Sequence, residues 1–240
     1  MFNFEEKVAL VTGGAQGIGR AAALAFGKCG ARVVISDIRV EDGERTAADV
    51  RSLGADATFY KSDVSVAEQV AAMVHYTVEK YGRLDLAFNN AGVESQVADI
   101  VNCPDAEWDR VIGINLKGVW LCMKHEIKHM IQQESGVIVN TASIAGIIGI
   151  PNFAPYISAK HAVMGLTKAA ALEYSRMGIR INAVCPGWID TSMVDRLTAK
   201  IPQAVDTLIG TVPLGRKGRP DEIAQTVLWL CSDAASFVTG

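Results

Sequence analysis

Tyr156 and Lys160 stand four residues apart in a stretch, Pro155 to Met177, whose periodicity is helical, so a phenol and an ammonium share one face, a turn apart. A phenol of pKa ~10 is a poor general base near neutrality. A cation ~5 Å away is worth ~3 kcal/mol at an effective dielectric of ~20, or about two pKa units. That brings Tyr156 towards the range of a proton-transfer catalyst. An isolated Y-x-x-x-K reads better as an uncoupled surface pair. Here Ser143 lies thirteen residues before Tyr156, at the end of a β-rich run, where its hydroxyl can hydrogen-bond a carbonyl or alcohol oxygen.

A second chemistry sits near the start of the chain. Thr12-Gly13-Gly14-Ala15-Gln16-Gly17-Ile18-Gly19 follows a short apolar run and precedes a helical pattern. Gly13, Gly17 and Gly19 give the backbone freedom to approach a pyrophosphate, with Gln16 and Ile18 in the same turn, and the helix N-terminus supplies free N–H groups. The spacing is G-x-x-x-G-x-G; the frame beginning at Gly17 starts too late for a strand that ends at Val11. Asp37 closes the next β-rich run twenty residues after Gly17, where an acid accepts from ribose hydroxyls. A 2′-phosphate of ~−1.5 to −2 charge near that carboxylate would cost roughly 4 kcal/mol per unit charge at ~4 Å. NAD is therefore preferred over NADP, with Arg39, two residues on, as the group that softens the preference.

The elements that must position these groups alternate in period. β-rich runs occur at Val8–Val11, Arg32–Ser36, Thr58–Lys61, Leu84–Phe88, Val137–Asn140 and Arg180–Val184. Helical patterns lie near 17–29, 41–53, 66–81, 105–133, 155–177 and 220–231. Strand and helix in alternation predict right-handed βαβ units, a doubly wound parallel sheet with helices on both faces, and one domain over residues 1–240. Such a sheet binds ligands beyond the carboxyl ends of its strands. The residues there are the glycine turn, Asp37, Asp63-Val64, Asn89-Asn90-Ala91-Gly92, Thr141-Ala142-Ser143 and Pro186-Gly187.

These motifs together resemble the short-chain dehydrogenase/reductase family, over Lys7 to Gly240. The matching pieces are T-G-x-x-x-G-x-G at 12–19, Asp63, N-N-A-G at 89–92, Asn115, Ser143, Y-x-x-x-K at 156–160, and Pro186-Gly187 with Thr191. The resemblance implies a Rossmann-type sheet of order 3-2-1-4-5-6 and hydride transfer between a nicotinamide cofactor and a secondary alcohol or ketone. Under it Ser143 polarises the carbonyl, Tyr156 exchanges the proton, Lys160 tunes Tyr156 and holds the nicotinamide ribose, and Asn115 positions a water. Asp63 and Val64 flank the adenine, Asn90, Ala91 and Gly92 line the cofactor cleft, and Ile189 and Thr191 bind the carboxamide. It also implies a homotetramer or homodimer joined through the helices near 105–133 and 155–177, and a seventh strand that the 240 residues do not contain.

Val93–Ile100, Ile144–Ala154 and a lid over about 188–210, with Trp188, Met193, Val194 and Leu197, are expected to select the substrate. Their apolar character suits a medium-sized alcohol or ketone. The alternatives are a 3-oxoacyl-[acyl-carrier-protein] reductase, which Asp37 and the scarcity of basic residues outside 216–219 disfavour, and a nicotinamide-sensing protein, which would have no use for the Asn115, Ser143, Tyr156 and Lys160 set.

Composition narrows the rest. Half of the residues are hydrophobic and a fifth charged, which excludes a disordered chain. A net charge of −3 offers no overall field for nucleic acid. Five scattered cysteines without a C-x-x-C pair read as cytoplasmic thiols. The apolar stretch Gly136 to Ile150 is too short and too often interrupted to span a bilayer. His125-Glu126-Ile127-Lys128-His129 spells H-E-x-x-H. At ~100° per residue, however, Leu116, Trp120, Met123, Ile127, Met130 and Ile131 make the apolar stripe and both histidines fall ~160° from its centre. No metal is expected. Arg216-Lys217-Gly218-Arg219-Pro220 reads as an exposed turn with Pro220 opening a helix.

Overall fold

The computed structural model describes residues 2–200 and 210–240. Six strands, β1 Val8–Thr12, β2 Arg32–Asp37, β3 Ala57–Lys61, β4 Leu86–Asn89, β5 Gly136–Thr141 and β6 Ile179–Val184, form one parallel sheet in the order β3-β2-β1-β4-β5-β6. The helices are α1 Gly17–Lys28, α2 Val40–Ser52, α3 Ala67–Tyr81, α4 Asp105–Ile112, α5 Gly118–Gln133, α6 Ala154–Tyr174, α7 Ser192–Lys200 and α8 Pro220–Cys231. The expected alternation and strand order are therefore present, with ends shifted by one to three residues.

The central strands are apolar on both faces because helices cover both. On β1, Ala9 and Val11 join Phe26 of α1, Val50 of α2 and Leu228 of α8 in one core, while Leu10 between them joins Met73 of α3, Met123 of α5 and Val163 of α6 in the other. A strand period of two assigns alternate residues of one run to opposite layers.

Two departures from the expected elements bear on the site. The helical pattern of 105–133 is broken by a π-helical segment, Gly113–Lys117, which carries Asn115. The stripe is buried only in part: Met123, Ile127 and Met130 face the core, but Trp120 and Ile131 are 44% and 38% exposed, and the buried face turns instead towards Cys122 and Glu126. The extra residue of the π turn changes the helical phase between Leu116 and α5, so one stripe cannot run through both. His125 and His129 are half-buried, and Glu126 between them points into the core rather than towards them. Among the described residues no group of three His, Cys, Asp or Glu side chains gathers as a metal site.

Pro220 opens α8 as expected, and Glu222 closes its N-terminus by accepting from the Arg219 backbone N–H at 2.7 Å and pairing with Arg216 at 2.7 Å. The Arg216 guanidinium and that N–H lower the Glu222 carboxyl to about 2. At the outer edge of β6, Gly240 N donates to Ile181 O at 2.9 Å and Asn182 Nδ2 to Val238 O at 2.9 Å. The last residues thus lie where a further strand would pair.

Candidate active site

The carboxyl ends of the strands open into a cleft of about 410 Å³. Of the residues singled out from sequence, Gly13, Gln16, Gly17, Ile18, Asp37, Asp63, Val64, Asn90, Ala91, Gly92, Ser143, Tyr156, Lys160, Pro186, Gly187, Ile189 and Thr191 line it. Gly19, Asn115 and Trp188 do not.

The glycine turn is a cradle that side chains would fill. Gly13 has φ +63°, and a Cβ there would stand 2.8 Å from Ala91 Cα. Gly19 is packed beneath the turn, where a Cβ would meet Gly13 O at 2.1 Å. Asn90 fastens the turn from the neighbouring strand: its Nδ2 donates to Thr12 O at 3.3 Å and Gly13 O at 3.2 Å, while Thr12 Oγ1 accepts from the backbone N–H groups of Asn90 and Ala91. α1 has no acid in its first turn, so its free N–H groups face the cleft without a competing anion. This arrangement fits a pyrophosphate. Gly19→Ala should displace the turn by overpacking worth about 1–3 kcal/mol, and cofactor titration by fluorescence should show an affinity loss of about tenfold or more.

Asp37, half-buried at the end of β2, is aimed by two backbone donors, Ala15 N at 3.1 Å to Oδ2 and Arg39 N at 3.0 Å to Oδ1. Arg39 is occupied: its Nε donates to Asp42 Oδ2 at 2.7 Å and its Nη1 to Gln16 Oε1 at 3.1 Å. Gln16 also accepts from Ser192 Oγ at 3.0 Å, tying the start of α7 to the glycine turn. Asp63 serves as a turn cap, accepting from Ser65 N at 2.9 Å and Ser65 Oγ at 2.7 Å ahead of α3.

Three polar side chains meet at the other end of the cleft. Ser143 caps a short 3₁₀ turn, Ile144–Gly146, its Oγ accepting from Ala145 N at 3.1 Å, and its hydroxyl lies near enough to the Tyr156 phenol to favour the phenolate. Lys160, 3% exposed, places Nζ 5.6 Å from the centre of the Tyr156 ring and donates to Thr141 O at 2.7 Å. Burial lowers the lysine to about 8. Burial also raises Tyr156 above the usual phenol value, partly offset by the Ser143 hydroxyl and reinforced by the Glu94 carboxylate. The expected lowering of Tyr156 is therefore not met: the phenol is shifted upward, with burial as the main cause and Lys160 not among the groups that shift it.

Asn115 lies fully buried in the π turn with both ends of its amide committed: Oδ1 accepts from Val93 N at 2.8 Å and Nδ2 donates to Val93 O at 2.8 Å. It therefore holds the strand-end loop from behind. Trp188 joins the segment after β6 to residue 218, its carbonyl accepting from Gly218 N at 2.8 Å, which leaves Ile189, Thr191, Met193 and Val194 to face the cleft. Of the lid expected over 188–210, residues 201–209 lie outside the described residues.

Two features escaped the reading of the sequence. Thr141 contributes through its carbonyl, and backbone acceptors carry no signature in residue type. Arg196 of α7 makes a two-bond ion pair with Glu94, at 2.7 and 3.0 Å, across the mouth of the cleft. Only the fold brings these residues together.

The family model described as enoyl-(acyl carrier protein) reductase matches residues 13–240. A cyclohexanol dehydrogenase of Acinetobacter sp. (strain SE19) is 44% identical over 237 residues, covering 99% of this chain and 92% of that one. The crystal structure of levodione reductase superimposes with a TM-score of 0.96 at 42% identity, covering 99% of this chain and 95% of that one. An NAD⁺-bound xylitol dehydrogenase superimposes at 0.95 with 37% identity, covering 98% of this chain and 96% of that one. With its cradle, acid-tipped second strand and Ser-Tyr-Lys cluster on this sheet, the chain belongs to the short-chain dehydrogenase/reductase family, the NAD(P)-dependent oxidoreductases that act on CH–OH groups.

Proposed function

We propose that this protein interconverts a medium-sized, apolar secondary alcohol and its ketone with NAD(H), and that residues 1–240 act as one catalytic domain. The observation that carries the reading is the meeting of Ser143, Tyr156 and Lys160 beside the glycine cradle. A nicotinamide cofactor in the cleft would supply or accept the hydride. Ser143 Oγ donates to the substrate oxygen. In reduction Tyr156 Oη gives that oxygen its proton; in oxidation it takes the alcohol proton. The Lys160 ammonium stabilises the phenolate that reduction leaves and oxidation requires, and Thr141 O fixes where that charge sits.

The substrate end suits an uncharged, largely apolar molecule, because Val93, Met193 and Val194 face it and Arg196, the cation beside them, is already paired with Glu94. The basic residues at 216–219 are met by acids: Arg216 by Glu222, Lys217 by Asp190 and Asp195, and Arg219 by Asp221. That favours a free small molecule over one carried on an acidic protein. Trp108, Trp120 and Leu172, exposed on α4, α5 and α6, support a homodimer or homotetramer through these helices. Among the described residues no helix is long and apolar enough to cross a membrane, and the cysteine pattern supports a cytoplasmic location.

Nicotinamide absorbance should change when the protein is given NAD⁺ and cyclic secondary alcohols such as cyclohexanol, with a slower response to NADP⁺. Turnover confined to 3-oxoacyl thioesters with NADPH would overturn the reading, and binding of NADH without turnover of any alcohol or ketone would mark a sensor.

A further inference from the structure

Glu126 lies in the middle of α5 with no exposed surface. Its Oε2 accepts from Asn89 Nδ2 at 2.9 Å, and the same nitrogen donates to Asn140 Oδ1 at 3.1 Å. The two oxygens left over, Glu126 Oε1 and Asn89 Oδ1, are buried and have no hydrogen-bond partner. Both are acceptors when the carboxyl is ionised, and an unmet buried acceptor costs about 1–3 kcal/mol. A single proton on Glu126 meets both needs at once, since a carboxylic acid and a carboxamide, both planar, can close a ring of two hydrogen bonds. The neighbours favour the neutral form. β4 presents Asn89 and β5 Asn140, both uncharged, and α3, packed on α5, adds apolar Val70, Met73 and Val74 to the same layer. Among the described residues the titratable neighbour that senses Glu126 is Cys122, a turn earlier, whose thiol is itself pushed up by burial. Burial raises the Glu126 carboxyl to about 8, against a smaller opposing effect of the Asn89 bond.

The pair sits beneath the site. Asn140 Nδ2 continues to Thr167 Oγ1 of α6 at 3.0 Å, two turns beyond Lys160. The residue after Asn89 fastens the glycine turn, and the residue after Asn140 supplies the carbonyl that holds Lys160. We propose that Glu126 is a neutral carboxylic acid paired with the Asn89 carboxamide through two hydrogen bonds, and that it is a positioning residue fixing the ends of β4 and β5 under Asn90 and Thr141. The positioning half rests on the function proposed above; the protonation half does not.

Isotope-edited infrared difference spectra of the whole protein against Glu126→Gln, at neutral pH, should show the C=O stretch of a protonated acid above the amide I band. Urea unfolding across pH gives the second reading. The folded chain keeps the proton that the unfolded chain releases above ~4.3. The folding constant of the wild type, relative to that of Glu126→Gln, should therefore fall about tenfold per pH unit and level off above about 8. Gln makes the same two bonds without a titrating proton, so it should retain kcat within about twofold, whereas Glu126→Leu, leaving Asn89 unmet, should lose about tenfold in kcat. A carboxylate band, or parallel pH profiles for wild type and Glu126→Gln, overturns the pair. Loss of kcat in Glu126→Gln to the level of Glu126→Leu overturns the positioning role. Should Glu126→Leu not fold, full activity in Glu126→Gln together with the acid band supports the proposal. Should no substrate be turned over, the spectra and unfolding curves still decide the pair.

Discussion

Tyr156→Phe should lower turnover by about 10²- to 10⁴-fold, the contribution of a positioned proton donor or acceptor, while NADH affinity stays within a few fold. The ring remains packed beside Lys160, and only the hydroxyl that meets Ser143 is lost. The two directions should also part with pH. Burial holds the phenol protonated above its usual range, so the acid needed for reduction is in place at neutrality. Oxidation requires the phenolate, whose share grows about tenfold per pH unit below the phenol pKa. Alcohol oxidation should therefore quicken from pH 7 towards pH 9, with the gain shrinking as Lys160 loses its charge above about 8, while ketone reduction should not quicken. Steady-state kinetics in both directions check this; unchanged turnover in Tyr156→Phe would remove the residue from the chemistry.

Asp37→Ser should move the cofactor preference towards NADP(H) by about 10²-fold in the ratio of kcat/KM values. Repulsion between the carboxylate and a 2′-phosphate is about 4 kcal/mol per charge at ~4 Å and an effective dielectric of ~20, and solvent screening at this half-exposed position leaves about 2–3 kcal/mol of it. The substitution also removes the acceptor for Ala15 N and Arg39 N, so NAD(H) binding should weaken as NADP(H) binding improves. Arg39 is held by Asp42 and Gln16, which limits its help to a phosphate in the wild type. A ratio unchanged by Asp37→Ser, measured with both cofactors, would show that another group sets the choice.

The sequence by itself determined the architecture and most of the cleft. Strand and helix periods differ, so their alternation reads directly as βαβ units, and a parallel sheet gathers its ligands at the strand ends, where residue types chosen for polarity or backbone freedom stand out. Gly13, Asp37, Asn90 and Ser143 were legible for that reason, and Tyr156 and Lys160 because i and i+4 share a helix face. Tertiary structure alone decided the relations between distant side chains. Glu126 reads from sequence as one letter of a metal motif, yet it is buried against Asn89, 37 positions away. Asn115 clamps Val93 across 22 positions, and Arg196 reaches Glu94 across 102. The sign of the Tyr156 shift was likewise set by how deeply the fold buries it. Periodicity reports which side of an element faces inward, but sheet order and packing decide what it meets there, and for a buried polar group that partner fixes its charge.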